Sequence, residues 1–235
     1  MQLNRFWAVP VSISLFISSC ATPVSVDVNA GPFDVAISSS QISLPSELRD
    51  NSTTPASIYS IPCGGALPAC PSSGDVTITC NGSSFCDPDP IAVALPAGDV
   101  IDLDMLSGGL SNSVPSIDAI EIRAVMVTVN TNTLTIPLQS MELYWGTETD
   151  SAPNLDRHFA TIPALAAGST SLGDVTLDAS GVSDLSDYLV GTSHRIRVFV
   201  RTSVDLNPGG PFPEGDLSMT ATFKVTARGH VGNSL

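Results

Sequence analysis

The segment DLSMTATFKVTARG, residues 216–229, alternates without a break. Leu217, Met219, Ala221, Phe223, Val225 and Ala227 are apolar, and Ser218, Thr220, Thr222, Lys224, Thr226 and Arg228 lie between them. A period of two puts every apolar group on one face of an extended chain, the mark of a strand half-buried in an antiparallel sheet. HRIRVFVRTSV repeats the pattern, with Ile196, Val198, Val200 and Val204 opposing Arg195, Arg197 and Arg201. The connection between these two strands, DLNPGGPFPEG, is too long and too rich in Gly and Pro for a tight hairpin. In SIDAIEIRAVMVTV, strict alternation predicts Ile120, Ile122, Ala124 and Met126 on one face and Glu121, Arg123, Val125 and Val127 on the other. Its second half is apolar on both faces, which predicts a central strand.

Shorter strand candidates are FDVAISSSQISL, DVTITC, IAVAL, TLTIPLQ, SMELYWG, HFATI and SLGDVTL, separated by turn-rich pieces. Many short strands with almost no helical period define an all-β chain, and we expect an antiparallel β-sandwich. One short connecting helix is predicted at SDLSDYLVG, with Ser183 as N-cap, Leu185 and Leu189 on one face and Gly191 as the stop. Residues 45–90, poor in large apolar groups and rich in Ser, Pro and Gly, read as a loop insertion into a single domain spanning 33–235.

At the N-terminus, one positive charge in Met1–Arg5 precedes an apolar stretch from Phe6 to Ile17. A bilayer core needs about 20 apolar residues, so this stretch is too short to span it and reads as a secretory signal peptide. It ends in Ile17-Ser18-Ser19-Cys20, which resembles the lipobox of bacterial lipoproteins. The resemblance implies that residues 1–19 are removed and that Cys20 is acylated, anchoring the chain to a lipid bilayer. Residues 20–32 then read as a tether. Ala21 is not the aspartate that signals inner-membrane retention in enterobacterial lipoproteins, so the resemblance implies the outer membrane of the cell envelope. An ordinary signal peptide with a stray cysteine is the competing reading.

The cysteine count is consistent with the lipid. Five cysteines are an odd number for an exported chain; with Cys20 assigned to lipid, Cys63, Cys70, Cys80 and Cys86 remain within one short window. An oxidising compartment would pair them, stapling what a small core cannot hold. Three connectivities exist. We favour Cys63 with Cys70 and Cys80 with Cys86, because GGALPA and NGSSF are short and turn-forming; each such loop contributes roughly 2.5 kcal/mol. A zinc site has the wrong spacing, and no histidine lies nearby.

The formal net charge is −14, with Lys+Arg 9 against Asp+Glu 23. Such a chain is repelled by phosphate backbones, which excludes nucleic acid as an expected partner. It also argues against polybasic attachment to membranes, leaving acylated Cys20 as the anchor.

A second resemblance lies in VTVNTNTLTIPLQSMELYWG, residues 127–146. A hydrophobic strand, an Asn-rich turn, an Ile-Pro-Leu step and an apolar-aromatic strand are similar to the LEA14-type water-stress β-sandwich domains. That family's turn is usually Asn-Pro-Asn, where this chain has Asn130-Thr131-Asn132. The resemblance implies a binding or protective sandwich without a catalytic centre.

Motifs for catalysis are absent: there is no Gly-x-Ser-x-Gly elbow, phosphate loop, dinucleotide fingerprint or His-Glu-x-x-His helix. No catalytic, cofactor-binding or metal residue is therefore assigned, and no cofactor is expected. Among His158, His194 and His230, only His158 follows charged neighbours, Asp156 and Arg157, which fits a solvated strand entrance. A triad assembled from distant residues would leave no sequence signature. Asp87, Asp89, Asp99, Asp102 and Asp104 are the carboxylates that could approach a calcium ion, but their spacing matches no EF-hand loop. Trp7 falls in the removed peptide, and Trp145 alternates with Met141 and Leu143, which places it in the core. The expectation is a membrane-anchored binding or structural module at the cell envelope, meeting an envelope protein or an extracellular partner. A surface adhesion module and an exported hydrolase are the alternatives.

Overall fold

A computed structural model describes residues 22–42, 44–67, 69–71, 76–102, 116–191 and 195–231. The chain forms β1 (Thr22–Ser38), β2 (Arg49–Asp50), β3 (Ser57–Ile58), β4 (Ile78–Cys80), β5 (Cys86–Pro88), β6 (Ile91–Pro96) and β7 (Ile101–Asp102). There follow β8 (Ser116–Asn132), β9 (Met141–Gly146), β10 (His158–Ile162), β11 (Thr176–Leu177), helix α1 (Ala179–Gly191), β12 (Arg195–Val204) and β13 (Asp216–Val231). All strand pairings among the described residues are antiparallel. The first sheet has the order β1-β13-β8, and the second β11-β10-β9-β12-β6 with β7 also on β12.

The alternating residues of β13 fall where the period places them: Leu217, Met219, Ala221, Phe223, Val225 and Ala227 are all buried. So are Ile196, Val198, Val200 and Val204 of β12. The two inner faces meet in one core, in which the Phe159 ring of the second sheet stands edge-on to Phe223 of the first at 5.7 Å. Phe33 packs on the same Phe223 ring at 5.0 Å, so this side chain joins three strands. The chain is thus an antiparallel β-sandwich, with one connecting α-helix among the described residues.

Four local expectations are corrected. Residues 22–32 are not a tether: Thr22–Ser38 is one strand, paired with β13 from Thr22↔Val231 to Ser38↔Asp216. Its first half carries Val24, Val26 and Val28 on alternate positions, a pattern that residues 20–32 taken as small and polar conceal. In β8 the inward phase changes after Ile122. Lys224 pairs with Ala124 and Val225 with Ile122, leaving Arg123 as an extra residue. This bulge turns Val125 and Val129 inward and leaves Met126 43% exposed. TLTIPLQ forms no strand of its own; it carries the chain from the first sheet to the second, burying Leu134, Ile136 and Leu138 and touching Leu165 by one isolated bridge. Asn130 and Asn132 close β8, and Asn132 Nδ2 donates to the carbonyls of Ala166 at 3.1 Å and Ser169 at 2.9 Å.

Helix α1 begins earlier than expected, and its cap is Asp178, not Ser183. Asp178 Oδ1 accepts from the Gly181 N–H at 2.7 Å and from the Ser180 hydroxyl at 2.6 Å. These bonds hold its carboxyl below the usual carboxylate range, the Ser180 contact being the stronger cause. Leu185 and Leu189 face the core as expected, and the helix lies against β8 and β10. Contact with β10 is so close that a Cβ at Gly181 would stand 1.6 Å from the His158 carbonyl oxygen.

Candidate functional site

The insertion builds a small unit of its own. β2 pairs with β3, and β4 pairs with β5 in the register Ile78↔Pro88, Thr79↔Asp87, Cys80↔Cys86. Segment 61–63 runs beside β5: the Cys63 N–H donates to Ser84 O and the Cys86 N–H to Ile61 O, each at 2.9 Å. Leu48, Ile58, Cys63, Val76 and Cys86 are buried but stand outside the main core.

The disulfides are Cys63–Cys80 and Cys70–Cys86, which corrects the pairing favoured above. Loop length alone favours neighbours in sequence. The fold instead lays segment 61–63 against β5, bringing Cys63 and then Cys70 to the side of the hairpin where Cys80 and Cys86 stand together. Both bonds therefore tie one chain segment to another, across 17 and 16 residues. The sulfurs of Cys63, Cys70 and Cys86 lie within 4.8 Å of one another, each bonded in a disulfide.

The unit docks on the β12–β13 connection. The Ile58 N–H donates to Gly210 O at 2.7 Å, the Gly209 N–H to Ile58 O at 2.8 Å and the Phe212 N–H to Ala56 O at 2.9 Å. Arg49 forms an ion pair with Glu214 and lies over the Phe212 ring at 5.0 Å. That connection enters β13 at Asp216, opposite Ser38, so the insertion sits at the end of the first sheet away from Thr22.

Its surface carries Tyr59, Leu67 and Phe85, exposed by 49%, 52% and 37%; elsewhere among the described residues the large apolar side chains so exposed are Met126 and Leu155. Three of the five large apolar side chains so exposed thus belong to the insertion. Sequence reading passed over these three residues. Their signal was the rarity of large apolar groups in 45–90, which makes those present hard to assign to a core.

The other candidates disperse. Cys20, Asp104 and His194 lie outside the described residues. Asp87 accepts from Asn81 Nδ2 at 3.3 Å, Asp89 from Thr79 Oγ1 at 3.4 Å, and Asp102 pairs with Arg195 at 3.4 Å. Asp99 lies in the turn before β7, beside Gly98. Asp156 sits in a turn capped by Asn154, Arg157 pairs with Asp150 at 3.2 Å and covers the Trp145 ring at 4.4 Å, and His158 Nε2 meets Thr161 Oγ1 at 3.1 Å. His230 pairs with Asp118. Trp145 is buried in the core, its ring 5.0 Å from that of Tyr188. No family model, curated protein or solved structure matches the chain.

Proposed function

We propose that the protein is a lipid-anchored binding module of the bacterial outer membrane, held by acylated Cys20 and meeting its partner through the disulfide-stapled insertion. The observation that carries this reading is the placing of Tyr59, Leu67 and Phe85 on a cross-linked unit at the Ser38 end of β1. Cys20 precedes the other end of that strand by two residues. A strand from Thr22 to Ser38 spans about 50 Å, so an anchor at Cys20 leaves the insertion far from the bilayer. The lipobox resemblance at Cys20 supports the anchor, and β1, paired from Thr22 onward, serves as the spacer.

The test is a photo-crosslinking residue placed at Leu67 or Phe85 of the protein in bacterial cells, with Leu155 as the control position. Adducts to another envelope or extracellular protein from 67 and 85, lost on joint Tyr59→Ser, Leu67→Ser and Phe85→Ser substitution in the non-labelled positions, support the reading. Equal labelling from 155, or none from either insertion site, contradicts it. Protease treatment of intact cells separates a partner outside the cell, as for an adhesion module, from one in the periplasm.

A further inference from the structure

An open groove of about 420 Å³ runs along the outer face of the first sheet. Its floor is Thr226, whose hydroxyl donates to Asp27 Oδ1 at 2.6 Å. Arg123, Lys224 and Arg228 line it together with Asn29. The strand pairing brings these residues into line, with Asn29 opposite Lys224 and Asp27 opposite Thr226, and the bulge at Arg123 adds a cation from β8.

A chain with only 9 Lys and Arg places three of them here, including Lys224, its sole lysine. Glu121 pairs with two of the three, meeting Arg123 Nη1 at 2.6 Å and Arg228 Nη2 at 3.2 Å. Lys224 enters no ion pair among the described residues. Three cations against Asp27 and Glu121 leave the groove positive on a protein whose net charge is −14. Guanidinium forks and a lysine ammonium are the groups that hold phosphoryl oxygens, and three separate cations suit a phosphoryl group better than a two-oxygen carboxylate. The volume falls in the range of small-ligand sites, and Asn29 and the Thr226–Asp27 pair offer polar contacts to a hydroxylated remainder.

We propose that this groove binds a small phosphate-bearing ligand, the phosphoryl group lying among Arg123, Lys224 and Arg228. The ligand is either a soluble phosphate ester or a phospholipid headgroup; the groove's Ser25 end lies five residues beyond Cys20, about 17 Å of extended chain. This proposal is independent of the contact surface on the insertion, since none of Tyr59, Leu67 and Phe85 lines the groove.

The test uses the chain with Cys20→Ser, so that no acyl group holds it to membranes. Glycerol 3-phosphate is titrated while NMR shifts of Lys224 and of the Arg123 and Arg228 side chains are followed, and co-sedimentation with phosphatidylglycerol vesicles is measured in parallel. Saturable shifts with glycerol 3-phosphate indicate a soluble ester, and sedimentation with vesicles alone indicates a headgroup; both support the site. Lys224→Glu weakens the observed binding at least tenfold, and Asp27→Asn, which removes the facing negative charge, strengthens it. Absence of both saturable shifts and sedimentation, or binding that Lys224→Glu leaves unchanged, overturns the proposal.

Discussion

Cys80 and Cys86 stand directly opposite each other across the β4–β5 hairpin, yet each is bonded to a cysteine earlier in the chain. Peptide mapping of unreduced protein should therefore recover Cys63 with Cys80 and Cys70 with Cys86. Joint Cys63→Ser and Cys80→Ser substitution removes about 3 kcal/mol from the insertion, as expected for a loop of this length. The sandwich should keep its near-ultraviolet signal from Trp145, because the cysteines stand outside the main core. Loss of that signal would show that the two parts fold as one.

Gly181 is set by space. Gly181→Ala places a methyl carbon against the His158 carbonyl, so α1 must shift from β10, at a cost of about 3 kcal/mol. Gly191→Ala is the control in the same helix: a Cβ there meets nothing within 4 Å among the described residues, and the helix gains propensity. Denaturant midpoints of the two variants should move in opposite directions.

Phe223 links Phe33 and Phe159 across the sandwich, so Phe223→Ala empties the centre of the core. The expected loss is about 3–5 kcal/mol. Met126→Ala, on the solvent side of the bulged strand, should change stability by less than about 0.5 kcal/mol. A large loss at Met126 would mean that β8 keeps strict alternation through residue 126.

Asp178 and Asp50 both have lowered pKa values, Asp178 chiefly through the Ser180 hydroxyl and Asp50 chiefly through Ser52. A depressed folded-state value means that their contribution is present above the unfolded value near 3.8 and is lost as pH falls through the lowered one. Unfolding midpoints should therefore drop below about pH 4, and Asp178→Asn should make that drop shallower. Tyr144 behaves in the opposite sense: burial, then the Glu142 hydrogen bond, raises its pKa, so its contribution is lost as pH rises beyond 10.

The sandwich was legible because β12 and β13 keep their period over long runs, and alternation maps directly onto burial. Alternation failed at Arg123, where one extra residue reverses the phase and no Gly or Pro announces it. The cap at Asp178 leaves no mark in the apolar period, because the helix starts at Ala179, ahead of Leu185, and includes Gly181, which packs against His158. The insertion was legible as a stapled unit, but its pairing depends on segment 61–63 lying beside β5, a tertiary contact without a local signal. The groove was illegible for the same reason: Arg123, Lys224 and Asp27 come from three strands that only the register aligns.

Mass analysis of the N-terminal peptide, from protein isolated in the membrane fraction of a bacterial host, tests the anchored-module account most directly. The account predicts a peptide that begins at Cys20 and carries acyl chains. A peptide with unmodified Cys20, or one continuing upstream through Ser19, would contradict it and leave the insertion without the anchor from which it is presented.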